Sequence, residues 1–128
     1  MKYLVGYNQA WAEFGEAMVD RLACDEIDPI APETIKLAWD TLEMLCMFGV
    51  PDPGIEPCAD STILVQWHDF GMDIELIFYP GGRIYTLIED SQKLVSRCSG
   101  FLVDFGTIVN AFVEFVRRAN AVNNVVRS

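Results

Sequence analysis

The sequence predicts a single α+β domain over residues 1–128, in which amphipathic helices cover one face of a three-stranded antiparallel meander. Three observations lead to this prediction. Between positions 61 and 90, apolar and polar residues alternate with the period of half-buried strands. Before and after that stretch, apolar residues recur at helical spacing. At 52% hydrophobic and 12% aromatic residues in 128 positions, the chain holds enough apolar material for a core.

The meander is the most regular part of the pattern. In its middle strand one set of residues is wholly apolar, Met72, Ile74, Leu76 and Phe78, and the alternate set is Asp73, Glu75, Ile77 and Tyr79. The first set is predicted to face the core. The second set, here called the mixed face, is half charged and half apolar. A turn over residues 68–71 and a Pro-Gly-Gly turn over 80–82 are expected to join the strands, because glycine accepts the positive φ of tight turns.

Two amphipathic helices are predicted before the meander. The first covers residues 7–23, and its apolar stripe consists of Tyr7, Ala10, Trp11, Phe14, Ala17, Met18 and Leu22. The second begins at Pro32, which suits a first helical position, and ends before Gly49. Residues 50–60 hold three prolines and are therefore expected to form an extended loop.

After the meander, residues 92–99 are expected to form either a loop or a short fourth strand at the edge. A last helix is predicted from near Asp104 to about Asn120, packed on the sheet, with a frayed tail over 121–128. The apolar face of this helix is broader than one packing contact needs. It indicates either the central helix of the fold or a homodimer formed through Phe105, Phe112, Phe115 and Val116.

The distribution of charge indicates which kinds of partner the protein can bind. The formal net charge of −10 argues against direct binding to nucleic-acid backbones. Residues 1–90 hold 17 acidic and 4 basic side chains, whereas residues 91–128 hold 2 acidic and 5 basic ones. The densest group, here called the N-terminal acidic cluster, consists of Glu13, Glu16, Asp20, Asp25, Glu26 and Asp28. Such a cluster is either a solvated helix face or a patch that engages a basic surface.

Candidate catalytic and metal-binding groups lack a supporting motif. His68, the single histidine, precedes Asp69, which fits a general base with its orienting partner or an exposed hairpin turn. Asp73 and Glu75 are about 7 Å apart on one strand face, which suits two catalytic carboxylates, a cation or a solvated sheet face. The sequence contains no nucleophile motif, Gly-rich phosphate loop or zinc signature. We therefore assign no catalytic residue, metal or cofactor.

The cysteines and the apolar segments indicate the cellular compartment in which the protein is expected. Cys24, Cys46, Cys58 and Cys98 have no metal-binding spacing and are expected to be thiols in a reducing cytoplasm. We find no apolar run long enough to span a membrane and no apolar core of a secretory signal. A cytoplasmic protein without a membrane partner is expected.

A pattern of motifs runs through residues 33–90. It consists of the Pro-rich segment 49–57, then Asp60, Ile63 and Trp67, then residues 73–75 and the Pro-Gly-Gly turn. In this pattern the chain resembles small uncharacterised prokaryotic and phage α+β proteins. In those proteins a helix ends in a Pro-rich loop that leads into a meander, and a tryptophan closes its first strand. The resemblance implies a prokaryotic or phage origin and an α+β architecture. It implies no activity and no catalytic residues.

The sequence favours a non-enzymatic, acidic protein-binding module. The expected type is an inhibitor, such as an antitoxin or a phage anti-defence protein, that engages a basic surface of a nuclease or another partner. Its expected contact residues are the N-terminal acidic cluster and the mixed face. One alternative is a small-molecule or nucleotide-binding protein, or a hydrolase, with His68, Asp69, Asp73 and Glu75 in a cleft between the sheet and the last helix. The other alternative is a structural homodimer.

Overall fold

The computed structural model describes residues 30–51, 53–58 and 60–127, with the side chains of all but residues 46 and 123–127. Within these residues the elements are α1 (Pro32–Met47), β1 (Gly54–Pro57), β2 (Ile63–Asp69), β3 (Met72–Phe78), β4 (Ile84–Asp90), β5 (Cys98–Gly100) and α2 (Phe105–Arg127). The α+β class is confirmed. The predicted helix over 7–23 and the N-terminal acidic cluster lie outside the described residues.

The described strands form one antiparallel sheet in the order β1-β2-β3-β4-β5, so each strand pairs with its neighbour in sequence. The central three strands are the predicted meander. β2 and β3 pair over their full length, from Ile63 opposite Phe78 to Asp69 opposite Met72. The prediction of three strands is incomplete, because a short strand extends the meander at each edge.

The strand β1 lies where the sequence predicted an extended loop. It pairs with β2 along all four of its residues and ends at Pro57. An edge strand tolerates proline, because the missing N–H need not contribute to the ladder. At the other edge, β5 is the short strand that was one of the two options for residues 92–99. It begins at Cys98 and ends at Gly100, so most of that segment is a loop.

The turn between β2 and β3 is tighter than predicted. It contains only Phe70 and Gly71, whose φ angles are 53° and 76°. Two central residues with positive φ give the hairpin turn whose twist matches that of the flanking strands. His68 and Asp69 therefore belong to β2 rather than to the turn. The other hairpin takes its positive φ at two glycines, as predicted.

Both described helices pack on the same face of the sheet. The core there contains alternate residues of β2 and β3, among them Val65, Trp67, Ile74, Leu76 and Phe78, with Ala38 and Leu42 of α1 and Phe112 and Phe115 of α2. The rings of Trp67 and Phe112 meet edge to face, with centroids 4.8 Å apart. Packing of the last helix on the sheet is therefore confirmed.

The helix α2 is longer than predicted. It begins one residue after Asp104, whose carboxylate accepts a hydrogen bond from the Thr107 hydroxyl at 3.2 Å. It continues to Arg127, so the prediction of a frayed tail from residue 121 onward is wrong over 121–127. The physical reason is visible in the sequence, since no glycine or proline follows Gly106 to end the helix.

Candidate functional site

The outer face of the sheet is the side that points away from both described helices. Its residues alternate with the core positions and are Glu56, Leu64, Gln66, His68, Asp73, Glu75, Ile77, Tyr79, Tyr85, Leu87, Glu89 and Ser99. Each of them is half-buried or exposed. The structure therefore places all four residues of the predicted mixed face together on this surface.

One end of the outer face is organised around His68. Its Nδ1 lies 2.6 Å from Oδ1 of Asp73, and its Nε2 lies 2.8 Å from Oε1 of Gln66. A carboxylate oxygen of Glu75 is 3.6 Å from the same Nε2. The strand register explains these contacts, because His68 is directly opposite Asp73 and Gln66 is directly opposite Glu75. The predicted pairing of His68 with Asp69 is replaced by a cross-strand pair with Asp73.

Two acidic side chains, Asp73 and Glu75, lie beside this histidine, and Glu89 follows on the next strand; we call these three residues the carboxylate cluster. Asp73 of β3 is directly opposite Glu89 of β4. Like charges at directly opposite positions destabilise a sheet. Glu89 has a partial counterion in Arg97, whose Nε lies 3.5 Å from its carboxylate. Because both side chains are accessible to solvent, this ion pair contributes little to stability.

The other end of the outer face is aromatic. The ring of Phe101 meets the rings of Tyr79 and Tyr85 edge to face, with both centroids 5.1 Å away. The guanidinium of Arg83 lies 4.8 Å from the centroid of Phe101 and 5.6 Å from that of Tyr79. We call these four residues the aromatic cluster. Tyrosine and arginine are enriched among the residues that dominate the energy of protein interfaces.

Four residues of the carboxylate and aromatic clusters were not among the predicted contact residues. Tyr85 and Glu89 alternate with the core positions of β4, so the period-two pattern already carried the signal that places them outward. Phe101 follows a strand that is too short to show a pattern, and Arg83 lies beside a turn. No feature of the sequence indicates that these two residues lie beside the tyrosines.

The apolar cavity between the sheet and the last helix contains none of the four predicted polar residues, whereas a second cavity beside Phe115 of that helix contains two of them. The first cavity has a volume of about 340 Å³, and apart from Thr41 its lining is apolar. His68, Asp73 and Glu75 alternate with core residues and so lie on the other side of the sheet. His68 and Asp69 line the second cavity, of about 290 Å³, near the end of β2.

The four residues of the suggested dimer helix fall into two groups. Phe112 and Phe115 are buried in the core, at 3% and 2% exposure. Phe105 and Val116 line the apolar cavity between α1, the sheet and α2. The periodicity of α2 predicted a broad apolar face, and the structure shows that one half of it meets the sheet.

The described cysteines are free thiols. Cys58 and Cys98 are both half-buried. Burial raises the pKa of the Cys98 thiol, which favours the unreactive protonated form. Cys24 and the side chain of Cys46 lie outside the described part of the structure.

Comparisons with family models, with curated proteins and with solved structures find no match for this chain. In the described part of the chain, no group of three or more His, Cys, Asp or Glu residues is placed to hold a metal ion. Neither of the two described helices combines the length and the apolar content of a transmembrane span. The chemistry of the outer face is therefore the basis for a functional proposal.

Proposed function

We propose that the protein is a non-enzymatic binding module that engages a basic surface of a protein partner through the outer face of its sheet. The observation that carries the proposal is the joint presence of the carboxylate cluster and the aromatic cluster on one face, while both described helices pack on the other. Carboxylates attract and orient a basic partner. Aromatic rings supply contact area, and the burial of this area stabilises a complex.

The charge of the outer face favours a basic partner. Its acidic side chains are Glu56 and the carboxylate cluster, and the basic side chains beside them are Arg83 and Arg97. An excess of carboxylates repels phosphate groups, which disfavours direct nucleic-acid binding. A protein groove that itself attracts phosphate, such as that of a nuclease or a toxin, has the complementary charge. The specific form of the proposal is therefore an inhibitor of the antitoxin or phage anti-defence type.

The opposed carboxylates of Asp73 and Glu89 support the same proposal. In the free protein their repulsion costs stability. A lysine or arginine of a partner, placed between the two carboxylates, would turn this repulsion into two attractive contacts. Pairs of like charges that the protein itself compensates only in part are typical of functional surfaces.

The proposal is tested by site-specific photo-crosslinking in cells that naturally make the protein. A photoreactive amino acid at Leu87, in the middle of the outer face, is expected to crosslink to one discrete protein with a basic surface. The matched control carries the same group at Glu43, on the exposed side of α1. Equal crosslinking from both positions, or none from position 87, contradicts the proposal.

A further inference from the structure

Arg83 lies at the aromatic end of the outer face, and the attraction of a basic partner gives this cation no role. Its guanidinium lies over the rings of Phe101 and Tyr79, with centroids 4.8 and 5.6 Å away. The backbone N–H of Tyr79 donates a hydrogen bond of 2.8 Å to the Arg83 carbonyl, so the two residues lie opposite each other just beyond the ladder of β3 and β4. The hairpin and the rings therefore hold the cation in place.

Arg83 differs from the other arginines whose side chains are described. Arg97, Arg117 and Arg118 each form an ion pair with at least one carboxylate of the chain, at 3.5 Å or less. Within the described residues, the exposed side chain of Arg83 forms no ion pair and donates no hydrogen bond. Its donors are therefore available to a group from another molecule.

We propose that Arg83 binds a carboxylate of the partner protein, so that the outer face recognises a basic group at one end and an acidic group at the other. Because the anion belongs to the partner, this inference rests on the proposed function. Arginine combines contact with aromatic rings and a planar fork of donors that matches both oxygens of one carboxylate. In a protein partner, that carboxylate is an Asp or Glu side chain or the C-terminus.

The two ends of the outer face are far enough apart to act as separate charges. Asp73 and Tyr79 are six positions apart on β3 and its continuation, which is ~20 Å at ~3.3 Å per residue. The Debye length at physiological ionic strength is only ~8 Å. The carboxylate cluster therefore does not neutralise Arg83, and a partner can place an anion there while it places a cation at the cluster.

An apolar band separates these two ends. It consists of Leu64, Ile77 and Leu87, which lie on adjacent strands of the outer face and are half-buried. An apolar centre with charged groups at its margin is the usual arrangement of a protein interface. The matching partner surface is an apolar strip with a cation at one end and a carboxylate at the other, about 20 Å apart along the strands.

A phosphate group is the poorer alternative for Arg83. A nucleic acid carries phosphates along its whole length, so contact with Arg83 would also bring phosphates towards the carboxylate cluster. A protein surface carries single carboxylates beside basic groups and meets both ends without such repulsion.

Charge reversal distinguishes this inference from attraction by net charge alone. Arg83→Glu and the matched control Arg97→Glu replace exposed arginines and make the outer face more acidic by the same amount. For the partner captured from position 87, we expect Arg83→Glu to weaken binding by at least about tenfold, although the face has become more acidic. Arg97→Glu is expected to bind at least as tightly as the wild type. If Arg83→Glu binds as tightly as the wild type, or if both variants weaken binding equally, the inference is overturned.

Carbodiimide coupling tests for the carboxylate with a variant that keeps the positive charge. Arg83→Lys introduces an amine, which attacks a carbodiimide-activated carboxylate to form an amide while the carbodiimide leaves as a urea. With the partner in excess, we expect an amide between position 83 and one partner carboxylate, and mass spectrometry identifies it as a side chain or the C-terminus. Arg97→Lys is the control, and it is expected to couple to Glu89 of its own chain but not to the partner. No coupling from position 83, or equal coupling from both positions, contradicts the inference.

These measurements separate failure of the inference from failure of the proposed function. If position 87 captures no partner, or if Asp73→Lys leaves the affinity unchanged, the proposed function fails and the role of Arg83 fails with it. If Asp73→Lys weakens binding while the Arg83 variants behave as their Arg97 controls do, only the role of Arg83 is wrong.

Discussion

Asp90 is the residue that attaches α2 to the sheet. Its side chain is fully buried at the end of β4, where the guanidinium of Arg118 donates two hydrogen bonds to it, at 3.0 and 2.8 Å. The same carboxylate accepts hydrogen bonds from the backbone N–H groups of Gln92, Leu94 and Val95. This number of donors offsets the cost of removing a charge from water.

The guanidinium of Arg118 is shared among three elements. Besides Asp90 it contacts the carboxylate of Glu114 at 2.7 Å and donates to the backbone oxygen of Phe70 at 2.9 Å. The predicted helix from Asp104 to Asn120 contains Arg118, but it indicates no partner for that side chain. Its partner is 28 positions away on a strand, and nothing in the local sequence pattern indicates that pairing.

Replacing Asp90 with asparagine is expected to lower the free energy of unfolding by about 3–5 kcal/mol, because it removes the buried carboxylate that pairs with Arg118 and leaves Glu114 as the remaining counterion. Urea unfolding measures the change. Asp40→Asn is the matched control, since it removes only the exposed ion pair with Lys36 and is expected to cost about 0.5 kcal/mol or less. Equal losses in the two variants would show that the buried pair does not hold α2 in place.

The same ion pairs predict how stability depends on pH. Hydrogen bonds from Arg118 hold the pKa of Asp90 well below its usual range, and hydrogen bonds from Arg117 and Arg118 lower the pKa of Glu114 to about 2. In the unfolded chain both groups titrate near pH 4. The unfolded state therefore binds more protons below about pH 4, and stability is full above that pH and lost as the pH falls towards 2.

The urea midpoint, measured from pH 6 down to pH 2, checks this dependence. The wild-type midpoint is expected to fall below about pH 4, and Asp90→Asn is expected to fall less steeply because one of the two titrating groups is absent. A midpoint that stays constant down to pH 2 would contradict the proposed network.

At the level of elements, the hairpin between β2 and β3 depends on Gly71. A Cβ at this position would lie 2.8 Å from the Ser91 hydroxyl oxygen, which itself donates a hydrogen bond to the Gly71 carbonyl at 2.9 Å. Gly81 in the next hairpin has a similar φ of 87°, but no atom lies within 4 Å of a Cβ placed there. A comparison of alanine substitutions at the two glycines therefore separates the cost of backbone strain from the cost of steric crowding.

Alanine at either glycine is expected to cost about 1–2 kcal/mol for the left-handed conformation. Gly71→Ala is expected to cost about 1 kcal/mol more than Gly81→Ala, because Ser91 must give up its hydrogen bond. Thermal and urea unfolding of the two variants give the comparison. A smaller loss of stability in Gly71→Ala than in Gly81→Ala would rule out steric crowding by Ser91.

The length of each element determines whether the sequence predicts it. β2, β3 and β4 each have seven residues, long enough for alternation to appear, and Pro32 marks the start of α1. β1 and β5 have four and three residues, which is too few for an alternation of apolar and polar residues to be recognised in the sequence. They form because the meander offers unpaired edges, which is a property of the tertiary structure.

At the level of the whole molecule, the fold divides into an apolar side and a polar side. The described helices and the apolar cavity between them and the sheet lie on one side, and the carboxylate and aromatic clusters lie on the other. The sequence predicted the mixed face of the middle strand from its alternation. It did not predict the neighbours that surround this strand, since register is set by the turns and by the burial of the opposite face.

The most direct test of the central claim, that the outer face binds a basic partner, is the affinity of the crosslinked partner for two charge-reversal variants. Asp73→Lys changes the carboxylate cluster and puts a cation opposite Glu89, so the sheet is retained. Glu43→Lys makes the same change in net charge on the exposed side of α1.

Isothermal titration calorimetry at several salt concentrations gives the affinities. Asp73→Lys is predicted to weaken binding by at least about tenfold, with a shallower dependence on salt, because an attractive charge has become repulsive. Glu43→Lys is predicted to bind as the wild type does. If the two variants bind the partner equally well, the outer face is not the binding surface.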